Sequence, residues 1–302
     1  MIRQVIFYVC LILLLVACTP GISPAALNQD EPPPTELEPT AIPATATIAP
    51  TERPRPSPTP VPPTATEIPP TDTPTPEPTV DLQAAIQSAR IILYEDMWFD
   101  RYIQPALDQG GYKYTDVGDK AGKFKEELLS GSKWDLVIAA AEGRGGVQGE
   151  FFDYIYQQLD NGASVILEMW ILDYVAGGRI QPMLDECGIE VQKDWINPSN
   201  RGVFWTDPNH PLANDPNPLS LDRFTNYWEG DVGDLVQKSP GSEAIIIGSA
   251  NDANLNQDGL ITVCYDGRLL LQTFSTHDHS KETMMQLWQN YVSYMLSNRF
   301  AK

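Results

Sequence analysis

Cysteine is scarce in this chain, with four in 302 residues, and two of the four fall within the first 18. That excludes a fold stapled by a dense set of disulfides. Cys187 and Cys264, the two farther along, each stand in apolar surroundings. Outside the cytoplasm they could pair, or they could stay as buried thiols; the sequence leaves both open. Basic residues are few as well: 20 Lys and Arg face 40 Asp and Glu, a net charge of −20. From residue 81 onward the balance is 17 against 32, a net of −15. That sign argues against nucleic acid as a partner and against direct docking on an anionic membrane surface. Aromatic residues are missing from 19–80, so that stretch cannot bury a core. Long apolar runs are missing too, apart from Val5–Val16, which is too short to span a bilayer comfortably.

That run follows Arg3 and ends at Leu15-Val16-Ala17-Cys18, so residues 1–18 read as a targeting segment. The closing tetrad resembles the lipobox of bacterial lipoproteins, in which the cysteine becomes the lipidated first residue. The resemblance implies a lipid such as palmitate on Cys18 and a chain held on the cell membrane, facing outside the cytoplasm. Residues 19–80 carry 19 of the 27 prolines, often interleaved with threonine, as in Thr73-Pro74-Thr75-Pro76. This composition reads as a disordered, extended stalk. At roughly 3.1 Å per residue in polyproline II, it would reach up to about 190 Å. Residues 81–302 read as one folded domain.

Within that domain, strand and helix patterns alternate. Arg90–Tyr94 is a buried strand ending in Glu95-Asp96, and Phe99–Leu107 has helical spacing up to Gly110-Gly111. Tyr112–Val117 is a second strand and Ala121–Leu129 a second helix. Leu136–Ala141 is an unbroken apolar run, as in a strand buried on both faces. A glycine turn with Glu142 and Arg144 follows it, then a helix from near Gln148 with Phe151, Phe152, Ile155 and Leu159 on one face. Ala163–Leu167 is a fourth strand, and a helix runs from about Tyr174 to Cys187. Four βα units in succession predict an α/β fold, a flavodoxin-like, doubly wound, mostly parallel sheet. Asp194–Pro218, rich in Asn, Asp, Pro and Trp, reads as a long excursion. Ala244–Gly248 and Leu260–Tyr265 are strands; Asp266-Gly267 signals a tight antiparallel hairpin into Leu269–Phe274. Lys281–Leu296 is a closing amphipathic helix.

The order of these pieces over about 90–300 resembles the class I glutamine amidotransferase-like superfamily, and within it the ThuA-like and related non-amidotransferase members. Three places carry the resemblance. Val137–Gly146 is similar to the strand and turn that border the active cleft, and Asn209-His210-Pro211-Leu212 to a signature of non-amidotransferase members. Gly259–His279, ending in Thr276-His277-Asp278-His279, is similar to the hairpin that delivers the catalytic His-Pro-Glu. Two departures stand out. The turn that should hold the nucleophilic cysteine reads Leu167-Glu168-Met169-Trp170, and His279 stands where the glutamate belongs. Hydrolysis of glutamine by a thiolate is therefore not expected.

The predicted topology gathers Glu95, Asp96, Glu142, Glu168 and His277 at the carboxyl ends of neighbouring strands. As chemistry, Glu142, Glu168 and His277 are the candidate acid, base and catalytic groups, with Glu95, Asp96, Trp98, Arg144, Trp170 and His279 as candidate ligand contacts. As structure, the same residues are polar strand ends and helix caps. His277 and His279 with a carboxylate have the chemistry of a divalent-metal site, and Asn254–Gly259 has the opening letters of a calcium loop, but Tyr265 occupies the position of its bidentate glutamate. No metal or cofactor is assigned. Of the seven tryptophans, Trp98, Trp170, Trp205 and Trp228 fall in loops or at strand ends, where they suit sugar stacking or loop anchoring; Trp134 and Trp288 read as core. The functional expectation is a non-catalytic module on a membrane-anchored lipoprotein, binding a surface glycan or protein. The alternatives are a carbohydrate-active hydrolase using the cleft carboxylates with His277, and a passive scaffold in a surface complex.

Overall fold

The apolar runs of the first half fold into parallel strands, each followed by a helix. The computed structural model describes residues 81–97, 100–143, 147–199, 201–226 and 230–301. A short helix, α1 (Leu82–Gln87), leads into β1 (Ile91–Glu95), α2 (Ile103–Gln109), β2 (Tyr114–Gly118) and α3 (Ala121–Leu129). β3 (Leu136–Ala140), α4 (Glu150–Asp160) and β4 (Ser164–Glu168) complete the first half. The targeting segment, Cys18 and the stalk lie outside the described residues, as do Trp98, Phe99, Arg144 and Trp228.

Every residue of β1, β3 and β4 is buried, because the sheet is covered on both faces. Alternate side chains enter opposite cores. Ile91, Leu93, Leu136 and Ile138 pack with Trp288 and Tyr291 of the closing helix α8 (Lys281–Phe300). Ile92, Tyr94, Val137 and Ala139 pack with Phe124 of α3 and Phe151 and Phe152 of α4. The continuous apolar letters of Leu136–Ala140 thus serve two cores at once.

The second half departs from the βα rhythm. The expected helix from Tyr174 to Cys187 is two pieces, α5 (Leu172–Val175) and α6 (Gln181–Cys187), parted at Ala176-Gly177-Gly178. Two adjacent glycines make a helix interior costly, and Pro182 suits the first turn of a new helix. Gly188 closes α6 at φ +73°, a left-handed conformation that favours glycine. The expected excursion opens as a strand instead. β5 (Ile189–Ile196) pairs antiparallel with β7 (Asp231–Lys238). Between them lie β6 (Phe204–Trp205) and the short helix α7 (Pro211–Asn214). β8 (Ile245–Ser249), β9 (Gly259–Cys264) and β10 (Leu269–Gln272) follow.

The sheet order is β2-β1-β3-β4-β10-β9-β7-β5, with β8 beside β9 and β6 beside β8. β2, β1, β3, β4 and β10 are parallel, and β9 turns antiparallel to β10. The fold is therefore a flavodoxin-like α/β sheet with an antiparallel hairpin and a closing helix. The hairpin turn falls one residue earlier than the Asp-Gly signal: Tyr265 and Asp266 both take φ +53°. Cys187, at the end of α6, and Cys264, at the end of β9, form a disulfide, which settles the pairing that the sequence left open. Thr73–Lys302 is one compact unit holding every described residue. Among the described residues no helix is long and apolar enough to cross a membrane.

Candidate functional site

Parallel register brings the candidate carboxylates to one edge. Glu95, Ala140, Glu168 and Gln272, the last residues of β1, β3, β4 and β10, stand side by side in the pairing. Glu142 follows β3 by two residues. His277 sits in a single turn of 3-10 helix, Thr276–Asp278, which Ser275 caps by accepting from the His277 amide at 3.1 Å.

The three candidate catalytic groups meet. His277 Nδ1 lies 3.3 Å from Glu142 Oε1, an ion-pair contact, with the two side chains 9% and 7% exposed. Ser275 Oγ donates to Glu142 at 2.9 Å. Glu168 is fully buried, and its Oε1 accepts from the Thr276 amide at 2.8 Å and from Gln272 Nε2 at 3.2 Å. Gln272 Oε1 in turn accepts from Tyr291 of α8 at 2.9 Å. The other ring nitrogen of His277 contacts the Asp100 carbonyl at 3.1 Å, and the Tyr102 ring packs on the imidazole, tilted by 47°, with centroids 4.3 Å apart.

Environment sets the charge on each group. Burial, reinforced by the Glu142 charge, holds the Glu168 carboxyl well above the usual range, which favours its neutral form. Burial would raise Glu142 too, but bonds from His277 and Glu168 outweigh it and leave its carboxyl below the usual range. For His277, burial favours the neutral ring, and Glu142 reverses that and raises its pKa. These directions favour a neutral Glu168 beside an anionic Glu142, with the His277 ring drawn toward its protonated form. All three are anchored within the chain.

The candidate ligand contacts divide. Glu95 is committed to structure: its Oε1 accepts from the Tyr102 and Ile103 amides at 2.7 and 2.8 Å, capping α2, and its Oε2 bonds Arg101 at 2.8 Å. Arg101 also forks onto Asp116. His279 is 1% exposed and lies edge-on to Phe224 and Phe274, and burial lowers its pKa to about 4. A neutral imidazole sealed among aromatic rings does not face the rim, so the proposed His277–His279 metal pair is not formed. Asp96 and Trp170 do lie at the rim. Asp96 Oδ1 accepts from the Gly143 amide at 2.7 Å, and burial, with Glu142 adding to it, pushes its carboxyl up to about 6. The Trp170 indole donates to the Glu142 carbonyl at 3.1 Å. Trp98 and Arg144 fall outside the described residues.

Other sequence signals resolve into structure. Met169, in the turn Leu167–Trp170 where the sequence lacks a cysteine, is fully buried. His210 caps α7, its Nδ1 accepting from the Leu212 amide at 3.2 Å, and packs on Tyr294. The calcium-like letters form a hairpin loop in which Asn251 bonds the Ala253 and Asn254 amides and Asp258. Among the described residues no group of three or more His, Cys, Asp or Glu is arranged to hold a metal ion. The sequence reading missed Ser275, Gln272, Asp100 and Tyr102. Ser275 has a local signal, standing two residues before His277; the others gain their role only from tertiary contact. A groove of about 780 Å³ opens at the opposite end of the sheet, beside the disulfide, and none of the clustered groups lines it.

No family model matches this sequence, and no curated protein matches it. Solved structures of similar shape include a protein described as a GMP synthase component from Thermoplasma acidophilum, 10% identical, covering 70% of this chain and 96% of that one, with a TM-score of 0.41. PurLQS from Thermotoga maritima is 12% identical, with coverage of 68% and 98% and a TM-score of 0.36. The glutaminase domain of CTPS from Trypanosoma brucei, with bound acivicin, is 11% identical, with coverage of 70% and 94% and a TM-score of 0.38. Likeness at this level says nothing of the chemistry of this chain, whose fold class rests on its own sheet order.

Proposed function

We propose that this protein is a lipid-anchored, extracytoplasmic binding protein whose amidotransferase-like domain holds a cell-surface ligand, a glycan or a protein, without turning it over. One observation carries the reading. Glu142, Glu168 and His277 converge, yet they direct their bonds to each other and to Ser275, Thr276, Gln272 and Asp100. A general base must reach the proton that it takes, and here the base is closed in by its own chain. A nucleophile must be presented to its substrate, and Met169 and Ser275 are both buried. What the rim offers is Asp96 and the half-buried face of Trp170, with Tyr174 74% exposed just beyond. Aromatic faces beside a carboxylate suit stacking and hydrogen bonding to a sugar ring or a peptide. The lipobox-like tetrad and the disulfide support a location outside the cytoplasm.

A glycan array and a pull-down with the purified protein test this, run beside hydrolysis assays on glutamine and on each glycan that binds. The expected result is binding that falls at least tenfold in Trp170→Ala, with no turnover. Hydrolysis that disappears in Glu142→Gln would replace this reading with the second one, a carbohydrate-active hydrolase. That alternative has its own observation: Asp96, pushed up to about 6, stands near ionised Glu142, and carboxyls held apart in this way divide acid from base roles.

A further inference from the structure

We propose that Asp234, with the carboxylates gathered round it, is a proton-operated latch that joins the segment carrying Trp170 to the segment carrying His277. Asp234 lies in β7 and is 1% exposed. Its Oδ2 accepts from the amide of Asp173, at the start of α5 and three residues beyond Trp170, at 3.0 Å. Its backbone holds the other segment: the Asp234 amide donates to the Thr273 carbonyl at 2.8 Å, and Thr273 Oγ1 donates to the Asp234 carbonyl at 2.6 Å. Thr273 is four residues before His277. The approach is close enough to need a glycine alongside, since a Cβ on Gly233 would stand 2.3 Å from the Thr273 carbonyl oxygen. One residue thus ties both walls of the rim.

The second oxygen of Asp234 is the telling atom. Oδ1 is sealed from solvent and has no hydrogen-bond partner. The charges felt most strongly by the carboxyl are Asp173 on α5, Asp231 on its own strand and Asp194 on β5, all acids. Burial first, then these neighbours, pushes it up to about 7, against the Asp173 amide, which pulls it down. Below that pH Asp234 is neutral, and its carbonyl oxygen still accepts from Asp173. Once ionised, Asp234 is the stronger acceptor for the Asp173 amide, but burial and the three neighbouring acids outweigh that bond, so opening the α5 contact and letting water reach the charge is favoured. The latch is tightest at low pH and loosens progressively as pH rises from about 4 toward 7. A raised folded-state pKa means that stability falls as pH rises from about 4 toward 7 and then levels.

This inference does not rest on the binding proposal, and each can fail alone. The test is amide hydrogen exchange of Asp173 on the full-length protein between pH 4.5 and 7, corrected for the intrinsic pH dependence. Wild type should lose protection at least tenfold across that range. Asp234→Asn, which keeps an acceptor without a charge, should hold its protection constant, and Asp194→Asn should move the transition to lower pH. Equal protection at both pH values in wild type, or the same loss in Asp234→Asn, overturns the latch. Should Asp234→Asn not fold, the carboxyl carbon of Asp234 in wild type decides by NMR titration. A midpoint near 7 supports the latch, and one below 5 ends it.

Discussion

Glu142 and Glu168 are the same residue type in one cluster, yet their surroundings give them opposite states. Removing each should therefore have unequal effects. Glu142→Gln strips the partner from a buried imidazolium and should cost about 3–5 kcal/mol, with the His277 pKa falling. Glu168→Gln replaces a neutral acid by a neutral amide that still has a donor for Glu142, and should cost less than about 1 kcal/mol. Urea denaturation of both variants, with NMR titration of His277, checks this; equal losses would contradict the assigned charges. The Glu142–His277 pair also has a pH window. A lowered carboxyl contributes fully above its unfolded value near 4.5, and a raised imidazole contributes fully below its unfolded value near 6.5. The pair is at full strength between those values and weakens on either side. Asp234 acts with the opposite sign within that window.

At the scale of elements, the bond between Cys187 and Cys264 closes a loop with a sequence separation of 77. Restricting the unfolded chain over such a length is worth about 2–4 kcal/mol. Cys264→Ser should lower stability by that amount in urea unfolding, and adding a reductant to wild type should match it. The first half of the fold was legible because each strand there is an unbroken apolar run and each helix has a clear apolar face. Ala121–Leu129 came out with the expected bounds. β7 was not legible, because its letters Asp231-Val-Gly-Asp-Leu-Val include two acids and a glycine that pair only through tertiary contacts with β5 and Thr273. The meeting of Glu142, Glu168 and His277 could be read from strand order, since parallel strands end at one edge. Their enclosure could not: the groups that close them in, Asp100, Tyr102 and Gln272, carry no local pattern. Glu95 misled for a related reason, as nothing in its neighbourhood announces that it caps a helix seven residues on.

For the whole molecule, the proposed anchor and stalk make a direct prediction. Cys18→Ser should leave the protein in the aqueous phase of a detergent-partition experiment, whereas wild type enters the detergent phase; identical partitioning would remove the lipid from the account. A stalk reaching up to about 190 Å, with a domain of net charge −15, would keep the rim clear of an anionic bilayer. Such a domain would stand where proteases circulate, and the Cys187–Cys264 bond bears on that exposure. It turns the stretch from α6 to β9, all of β5, β6, α7, β7 and β8 included, into a covalent ring. A single cut within that ring yields a nicked molecule with both fragments still tethered, and they separate only where thiols are at hand.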